Sequence, residues 1–270
     1  MGPQDRRPPV VESTSNPTVR MLRELHTRDG RREQGAFLIE GTRLVAEAVS
    51  ASWPLLAALY DPERARGDAD LAALVARIPG ALQASPRAIK HACDTVTPQG
   101  IVAAAKLPVF PGALEATEPL ALVMDGVADP GNAGTLLRSA LGAGVRTVLV
   151  PHGSVDIFSP KVVRGGMGAH FRLRLGTDLS WGDIAKILGG DRQLVVAEAR
   201  GETPYYGFDW RRPAALIVGG EARGPSPEAA QLATGRVSIP LEAGVESLNA
   251  AVAGSVILFE AKRQRDQGAQ

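Results

Sequence analysis

Four runs in the second half of the chain, Leu120–Met124, Thr147–Val150, Leu194–Ala197 and Ala214–Val218, are almost wholly apolar or β-branched. A strand with one wet face alternates polar and apolar residues. These runs do not alternate, so both of their faces must be buried. Between and after them, Asn132–Leu141, Ser159–Met167, Ile184–Leu188 and Pro227–Leu232 carry helical spacing. Leu173–Leu175 and Val237–Ile239 read as further short strands, and Leu248–Lys262 as a long last helix. The pattern predicts an α/β domain over 120–270, built on a parallel sheet covered on each side.

The N-terminal part repeats the rhythm on a smaller scale. A helix is expected from Pro17 through Val19, Leu22 and Leu25, with others from Thr42, over Leu71–Arg77 and over Ser85–Ala92. Ala36–Ile39, Leu55–Tyr60, Ala81–Leu82 and Ile101–Ala105 read as strands, giving a compact α/β unit over 17–106 with its own sheet. Pro108, Pro111, Gly112 and Pro119 break both periods, so 107–119 reads as a linker. The polar, proline-rich stretch 1–16 reads as a disordered lead.

Composition excludes several classes. A single cysteine, Cys93, rules out an internal disulfide and a cysteine-rich zinc site. His26, His91, His152 and His170 are not spaced as ligands, so no metal is expected. The longest apolar stretch, Ala250–Phe259, falls short of the ~20 residues a bilayer requires. No secretory pattern opens the chain, and a cytoplasmic, non-membrane protein is expected. The net charge of +1 supplies no global basic field, so any nucleic-acid partner must be met by local clusters.

Three motifs sit where strands run into helices. In the first, Asp125-Gly-Val-Ala-Asp-Pro-Gly-Asn132 follows a buried strand and opens a helix that carries Arg138. Backbone N–H groups gather at such a place, which suits anions or polar ligands. Asn132 could equally be no more than the helix cap, and Arg138 a solvated side chain. In the second motif, Gly219-Gly220-Glu221-Ala-Arg-Gly224-Pro-Ser226 follows another buried strand. It contains no Gly-Lys-Ser/Thr and no G-x-G-x-x-G, so neither a phosphate-binding loop nor a dinucleotide fold is indicated. Glycines can serve a plain turn, yet a charge wedged among them directly after a buried strand is unusual for one. In the third, Ile239-Pro-Leu-Glu-Ala-Gly-Val-Glu-Ser247-Leu248-Asn249 leads into a helix faced with Ala250, Ala251, Ala253 and Gly254. Ser247 is the expected cap. The small residues allow either a tight helix pair or close approach to a flat ligand or a partner subunit.

Asp-Pro-Gly-Asn with a following arginine, then Gly-x-Glu-x-x-Gly, then Ile-Pro and Ser-Leu-Asn at the head of a small-residue helix, resembles the SpoU (TrmH-like) family of RNA ribose methyltransferases. The likeness spans about Leu120 to Lys262, and Lys161–Arg164 and Met167–Ala169 also fit it. Phe37–Gly41 after a basic helix resembles, more loosely, that family's substrate-binding domain, an α/β fold shared with some ribosomal proteins.

The resemblance implies a parallel sheet threaded as a trefoil knot, S-adenosylmethionine as cofactor, and a homodimer formed through the C-terminal domain. It puts Asn132, Arg138, Glu221, Ser247 and Asn249 at catalytic and site-shaping positions. It puts Gly219, Gly220, Gly224, Ile239, Leu248, Asn249 and Ala253 at the cofactor. Arginine resists deprotonation, so Arg138 is read as a phosphate ligand or alkoxide stabiliser, held by Glu221 through a bidentate pair. Many members carry a polar residue where this chain has Gly220, and a less rigid turn is the expected consequence.

RNA contacts are expected from Arg20, Arg23, Arg28, Arg31 and Arg32, with Lys161, Arg164 and Arg172 beside the site. Structured RNA is the expected partner, ribosomal RNA favoured over transfer RNA. The expected reaction is 2′-O-ribose methylation, of 23S ribosomal RNA before any other. Antibiotic self-protection, a catalytically silent RNA-binding member and a transfer-RNA ribose methyltransferase are the alternatives. A knotted enzyme acting on a base nitrogen fits the Ser-Leu-Asn helix and the N-terminal domain less well.

Overall fold

The structure is a computed structural model that describes residues 9–115, 118–221 and 223–268. They form two compact units: residues up to 107 together with 158–164, and 108–157 together with 165 onward.

In the first unit, α1 (Pro17–Glu24) and α2 (Arg28–Gln34) precede β1 (Ala36–Glu40) and α3 (Thr42–Ser50). Then come β2 (Leu55–Tyr60), α4 (Pro62–Gly67), α5 (Ala69–Val75), β3 (Leu82–Gln83), α6 (Pro86–Ala92) and β4 (Ile101–Lys106). The sheet runs in the order β1-β4-β2-β3. Pairs β1–β4 and β4–β2 are antiparallel, and β2–β3 is parallel. Val19, Leu22 and Leu25 of the first helical stretch meet Ala88, Ile89 and Ala92 of α6 over Leu38, Leu59 and Val102.

Residues 1–8 of the expected disordered lead lie outside the described residues. From Val11 the lead is tied to the sheet edge beside β3. The Val11 N–H donates to the Gln83 carbonyl (2.8 Å), and the Ser85 N–H donates to the Val11 carbonyl (2.9 Å). Asn16 then caps α1 through the Thr18 N–H (2.9 Å). The sequence did not mark α2, because Arg-Asp-Gly-Arg-Arg-Glu-Gln has no apolar face. The Thr27 cap (3.1 Å to the Gly30 N–H) and Gly35 at φ 60° delimit it instead.

The second unit contains β5 (Leu120–Asp125), α7 (Pro130–Gly142) and β6 (Thr147–Pro151). Most of α8 (Pro160–Gly166) clusters with the first unit. The second unit continues with β7 (Arg174–Leu179), α9 (Trp181–Leu188), β8 (Gln193–Ala197), β9 (Thr203–Pro204) and β10 (Ala214–Gly219). It ends with α10 (Pro227–Leu232), β11 (Gly235–Ser238) and α11 (Ala250–Gly268). Seven strands run in the order β7-β6-β5-β10-β8-β11-β9, and every pairing is parallel. The parallel sheet read from the two-sided apolar runs is therefore present, with β9 as an added short edge strand.

Ala121, Val123, Leu149, Val196, Ala215 and Ile217 form one sheet face with Ile184 and Leu188 of α9 and Ala229 of α10. Over the other face α7 crosses α11. A Cβ on Gly254 would stand 2.6 Å from Leu136 Cδ2 and 3.1 Å from Val218 Cγ2, so only glycine lets the helix lie this low. Ser255 Oγ meets Ser139 Oγ at 2.7 Å along the same crossing. The last helix starts at Ala250, later than the expected Leu248. Asn249 rather than Ser247 caps it, accepting from the Ala251 (3.0 Å) and Val252 (3.2 Å) N–H groups. Ser247 is exposed.

Candidate functional site

In parallel strands the carboxyl ends share one edge of the sheet, and ligand sites gather there. At that edge β10 delivers Gly219 into the turn Gly220–Ser226, and β5 delivers Asp125 beside it. The turn is built from close backbone contacts. A Cβ on Gly219 would fall within the Gly224–Pro225 backbone, and one on Gly220 would strike the Gly126 carbonyl. The Gly224 N–H donates to the Gly220 carbonyl (2.9 Å), with Gly224 at φ 65°. The bare Cα of Gly220, where a less rigid turn was expected, lies against the Gly126 carbonyl. It permits the turn to seat against residues 126–127.

Asp125, 4% exposed, accepts the Ser226 N–H at 2.6 Å. Ser226 in turn caps α10 through the Ala229 N–H (3.2 Å). The carboxylate ending β5 thus braces the far side of the glycine turn. Asp125 was not among the expected site residues, although it shares with Glu221 the signal of a charge directly after an all-apolar strand.

Asp129 caps α7, taking the Asn132 N–H at 2.8 Å. That frees the Asn132 side chain from the capping role it could have had. Its Nδ2 donates to Glu221 Oε1, and its Oδ1 accepts from Asn249 Nδ2 at 3.0 Å. Asn132, Glu221 and Asn249, one from each sequence motif, are joined in a single chain of hydrogen bonds. The amide is oriented by its partners, a carboxylate accepting on one side and an N–H donating on the other.

The expected Arg138–Glu221 pair is absent, because Glu221 is taken by Asn132. Arg138 lies six residues beyond Asn132 in α7, about 120° around the helix and a turn and a half along it. It is exposed and has no hydrogen-bond or ion-pair partner among the described residues.

Below the glycine turn is a cavity of about 670 Å³. All seven residues expected at the cofactor line it, Gly219, Gly220, Gly224, Ile239, Leu248, Asn249 and Ala253, and so do Glu221 and Ser247. Val218, Leu241 and Ile257 give it further apolar wall. Its volume lies within the ~300–1,000 Å³ typical of small-molecule sites. The stretch Ala197–Arg200, just past β8, also lines the cavity and was not anticipated. Within it Glu198 is held by Arg236, another carboxylate directly following an apolar strand.

The expected RNA-contacting arginines divide. Arg20, Arg23, Arg28, Arg32, Lys161 and Arg172 are exposed. Arg31 is 4% exposed and gives its Nη1 to the Leu25 carbonyl at 2.7 Å. It ties α2 back to the end of α1 and has no surface to offer RNA. Arg164 is engaged by Glu40 (3.3 Å) and Asp94 (2.9 Å), so its guanidinium is committed to carboxylates. Among the described residues no group of three or more His, Cys, Asp or Glu is placed to hold a metal ion.

The SpoU rRNA Methylase family model matches residues 119–259, and an MRM3-like substrate binding domain model matches residues 16–103. Mitochondrial rRNA methyltransferase 3 of Mus musculus is 34% identical over 293 residues, covering 88% of this chain and 70% of its own. A 23S rRNA (uridine(2479)-2′-O)-methyltransferase of Streptomyces viridochromogenes is 30% identical over 254 residues, covering 90% of this chain and 88% of its own. The crystal structure of the SpoU methyltransferase AviRb from that organism, in complex with AdoMet, superposes with a TM-score of 0.84 at 29% identity. The superposition covers 93% of this chain and 98% of that one.

Proposed function

The chain belongs to the SpoU rRNA methylase family and is an S-adenosylmethionine-dependent RNA methyltransferase, and from that premise we propose that it methylates a ribose 2′-hydroxyl of ribosomal RNA. The observation that carries the reading is the Glu221–Asn132–Asn249 chain, whose two end members line the 670 Å³ cavity.

The cavity's residues fit the cofactor. Apolar Val218, Ile239, Leu248, Ala253 and Ile257 suit a flat base, and the glycine turn offers backbone polar groups without side chains in the way. When bound, S-adenosylmethionine supplies a methyl group already activated on a sulfonium. The protein's share is then mainly positioning of an unreactive hydroxyl. With one N–H and one lone pair spent on Glu221 and Asn249, Asn132 retains an N–H and a lone pair for that hydroxyl. Glu221 and Asn249 act through Asn132 as positioning residues, and Ser247 stands at the same wall.

Arg138 does not line this cavity, and on α11 Val252 and Phe259 are 48% and 50% exposed. Large apolar side chains exposed on a small-residue helix support a homodimer through the C-terminal domain. In such a dimer Arg138 lies near the interface and binds substrate phosphate or steadies a developing alkoxide. The trefoil threading belongs to the same reading. It is supported by β10 lying between β5 and β8 while the later β11 lies beyond β8. Ribosomal rather than transfer RNA is favoured by the appended first unit, and 23S RNA by the Streptomyces relative. No helix of the described residues is long and apolar enough to cross a membrane, and the cytoplasm is our reading for the compartment.

The test is transfer of tritiated methyl from S-adenosylmethionine to ribosomal and transfer RNA from a strain lacking the gene, with mapping of the labelled nucleotide. The expected result is label on one ribose of large-subunit RNA, lost in Arg138→Ala and Asn132→Ala. The mapped position distinguishes housekeeping modification from antibiotic self-protection. Cofactor binding without transfer to any RNA would favour a catalytically silent RNA-binding protein. Label on a base nitrogen, or confined to transfer RNA, would overturn the proposed substrate.

A further inference from the structure

Several arginines of the chain are already paired. Arg164, Arg174, Arg211, Arg236 and Arg263 each face a carboxylate. One cluster of cations differs. On the first unit, α1 and α6 pack side by side through Val19, Leu22, Ala88, Ile89 and Ala92. Above that contact they leave a groove of about 600 Å³, lined by Thr14, Arg23, Pro86, Arg87, Lys90 and His91. Three of the six lining residues are permanent cations, one is a histidine and none is a carboxylate. Among the described residues Arg87, Lys90 and His91 have no hydrogen-bond or ion-pair partner, and Arg23 meets only the His26 ring, at 3.3 Å.

Uncompensated charge on a surface is solvated and costs little, so these side chains alone would mean nothing. Their arrangement means more. Arg87, Lys90 and His91 fall at i, i+3 and i+4 on α6, one face of one turn. Arg23 comes from the neighbouring helix across the groove, with Arg20 a turn earlier on α1. Both helices are pinned by the core beneath, so the charges hold a fixed spacing rather than floating on a loop. A rigid basic groove matches a polyanion whose charges recur at regular intervals.

We propose that the α1–α6 groove, through Arg23, Arg87, Lys90 and His91, is where the N-terminal unit grips the sugar-phosphate backbone of its RNA. The inference rests on the reading that the protein acts on RNA, and to Arg23, already an expected contact, it adds Arg87, Lys90 and His91 of α6. In the sequence Arg87 is separated from Lys90 and His91 by apolar Ala88 and Ile89, and only the helix brings the three onto one face. Cations facing phosphate release counterions on binding, so affinity must fall with salt in proportion to the contacts made.

The experiment is RNA binding by the full chain, measured by fluorescence anisotropy with purified 23S ribosomal RNA across a salt titration. Parent protein is compared with the triple variant Arg23→Gln, Arg87→Gln, Lys90→Gln. Removing three phosphate contacts flattens the dependence of log K on log salt by about 2–3, at ~0.7–0.9 per contact. Between ~50 and ~200 mM salt the parent is then expected to lose about 20- to 40-fold more affinity than the variant. KM for RNA rises about tenfold or more, while kcat at saturating RNA and cofactor affinity by calorimetry stay at parent values. The conservative variant Arg23→Lys, Arg87→Lys keeps the parent's salt slope.

Equal slopes in parent and triple variant, with RNA bound and methylated, would refute the groove and leave the RNA methyltransferase standing. A parent that binds no RNA would remove both. Loss of cofactor affinity in the triple variant alongside loss of RNA binding would assign these residues to folding and overturn the groove.

Discussion

The hydrogen-bond chain Glu221–Asn132–Asn249 makes a quantitative demand on a double-mutant cycle. Asn132→Ala removes a donor to a carboxylate and an acceptor from Asn249, 3.0 Å away. A charge-assisted hydrogen bond contributes about 1.5–3 kcal/mol and a neutral one about 0.5–1.5, and the lower ends apply because Glu221 and Asn249 are exposed. Losing both, with the group that orients the substrate hydroxyl, should lower kcat/KM by about 2–3 kcal/mol, or ~30- to 150-fold.

If Glu221 acts through Asn132, removing Glu221 from the Asn132→Ala background costs little more. The coupling in the Asn132→Ala, Glu221→Ala cycle should then reach about 1–2 kcal/mol, a deviation of ~5- to 30-fold from multiplicative losses. The assay is initial-rate methyl transfer for the four proteins. Thermal melts serve as a fold control and should agree, because side chains at this exposure contribute little to stability. Losses that multiply to within about twofold would show Asn132 and Glu221 acting independently, and the positioning argument would fail.

Three further expectations concern stability and reactivity. Gly220→Ala places a Cβ on the Gly126 carbonyl, backbone that cannot swing aside, so thermal melts should show a loss of about 1–3 kcal/mol, with weaker cofactor binding by calorimetry. An unchanged melting temperature would mean the turn can shift. Burial holds the His170 imidazole neutral and pulls its pKa down to about 4, below its unfolded value near 6.5. The unfolded chain therefore binds the extra proton first, and stability is complete above about pH 6.5 and declines as the pH falls towards 4. Urea titrations should show about 2 kcal/mol lost from this group by pH 5, a loss that His170→Phe abolishes. Burial, then Glu40, pushes the Cys93 thiol well above its usual range, so iodoacetamide at pH 8 should leave it unlabelled until urea unfolds the chain. Rapid labelling of the native protein would contradict the burial.

Much of the fold was legible because one rule decides it. Runs such as Leu120–Met124 and Ala214–Val218 have no polar face, and only a sheet covered on both sides accommodates them. Order within the sheet was not legible. Nothing in Ala-Ala-Leu-Ile-Val-Gly says that β10 lies between β5 and β8 rather than at an edge. Polar α2 escaped notice because periodicity sees only apolar faces, and its boundaries are set by Thr27 and Gly35. The arginine-rich stretch 20–32 misled by proximity. Arg31 and Arg32 are adjacent in sequence, yet one is buried against the Leu25 carbonyl and the other exposed.

The site shows the same division between what residue types reveal and what geometry must supply. Asn132 read equally well as a helix cap or as a working side chain, and its own neighbours could not decide between them. The decision lies with Asp129: once that carboxylate takes the Asn132 N–H, the cap is filled and the amide is free to project. It then bridges residues 89 and 117 positions away in the chain. Such a bridge requires the β5 and β10 turns and the start of α11 to meet within a hydrogen-bond length. The means for that is removal of side chains, at Gly219 and Gly220 against backbone and at Gly254 against Leu136 and Val218. Gly219 and Gly220, which read as turn punctuation, are therefore spacers for the polar chain. Enlarging Gly219 or Gly220 should disturb the Asn132 amide before it disturbs the apolar sheet, since the sheet has side chains that can repack and the turn has only backbone.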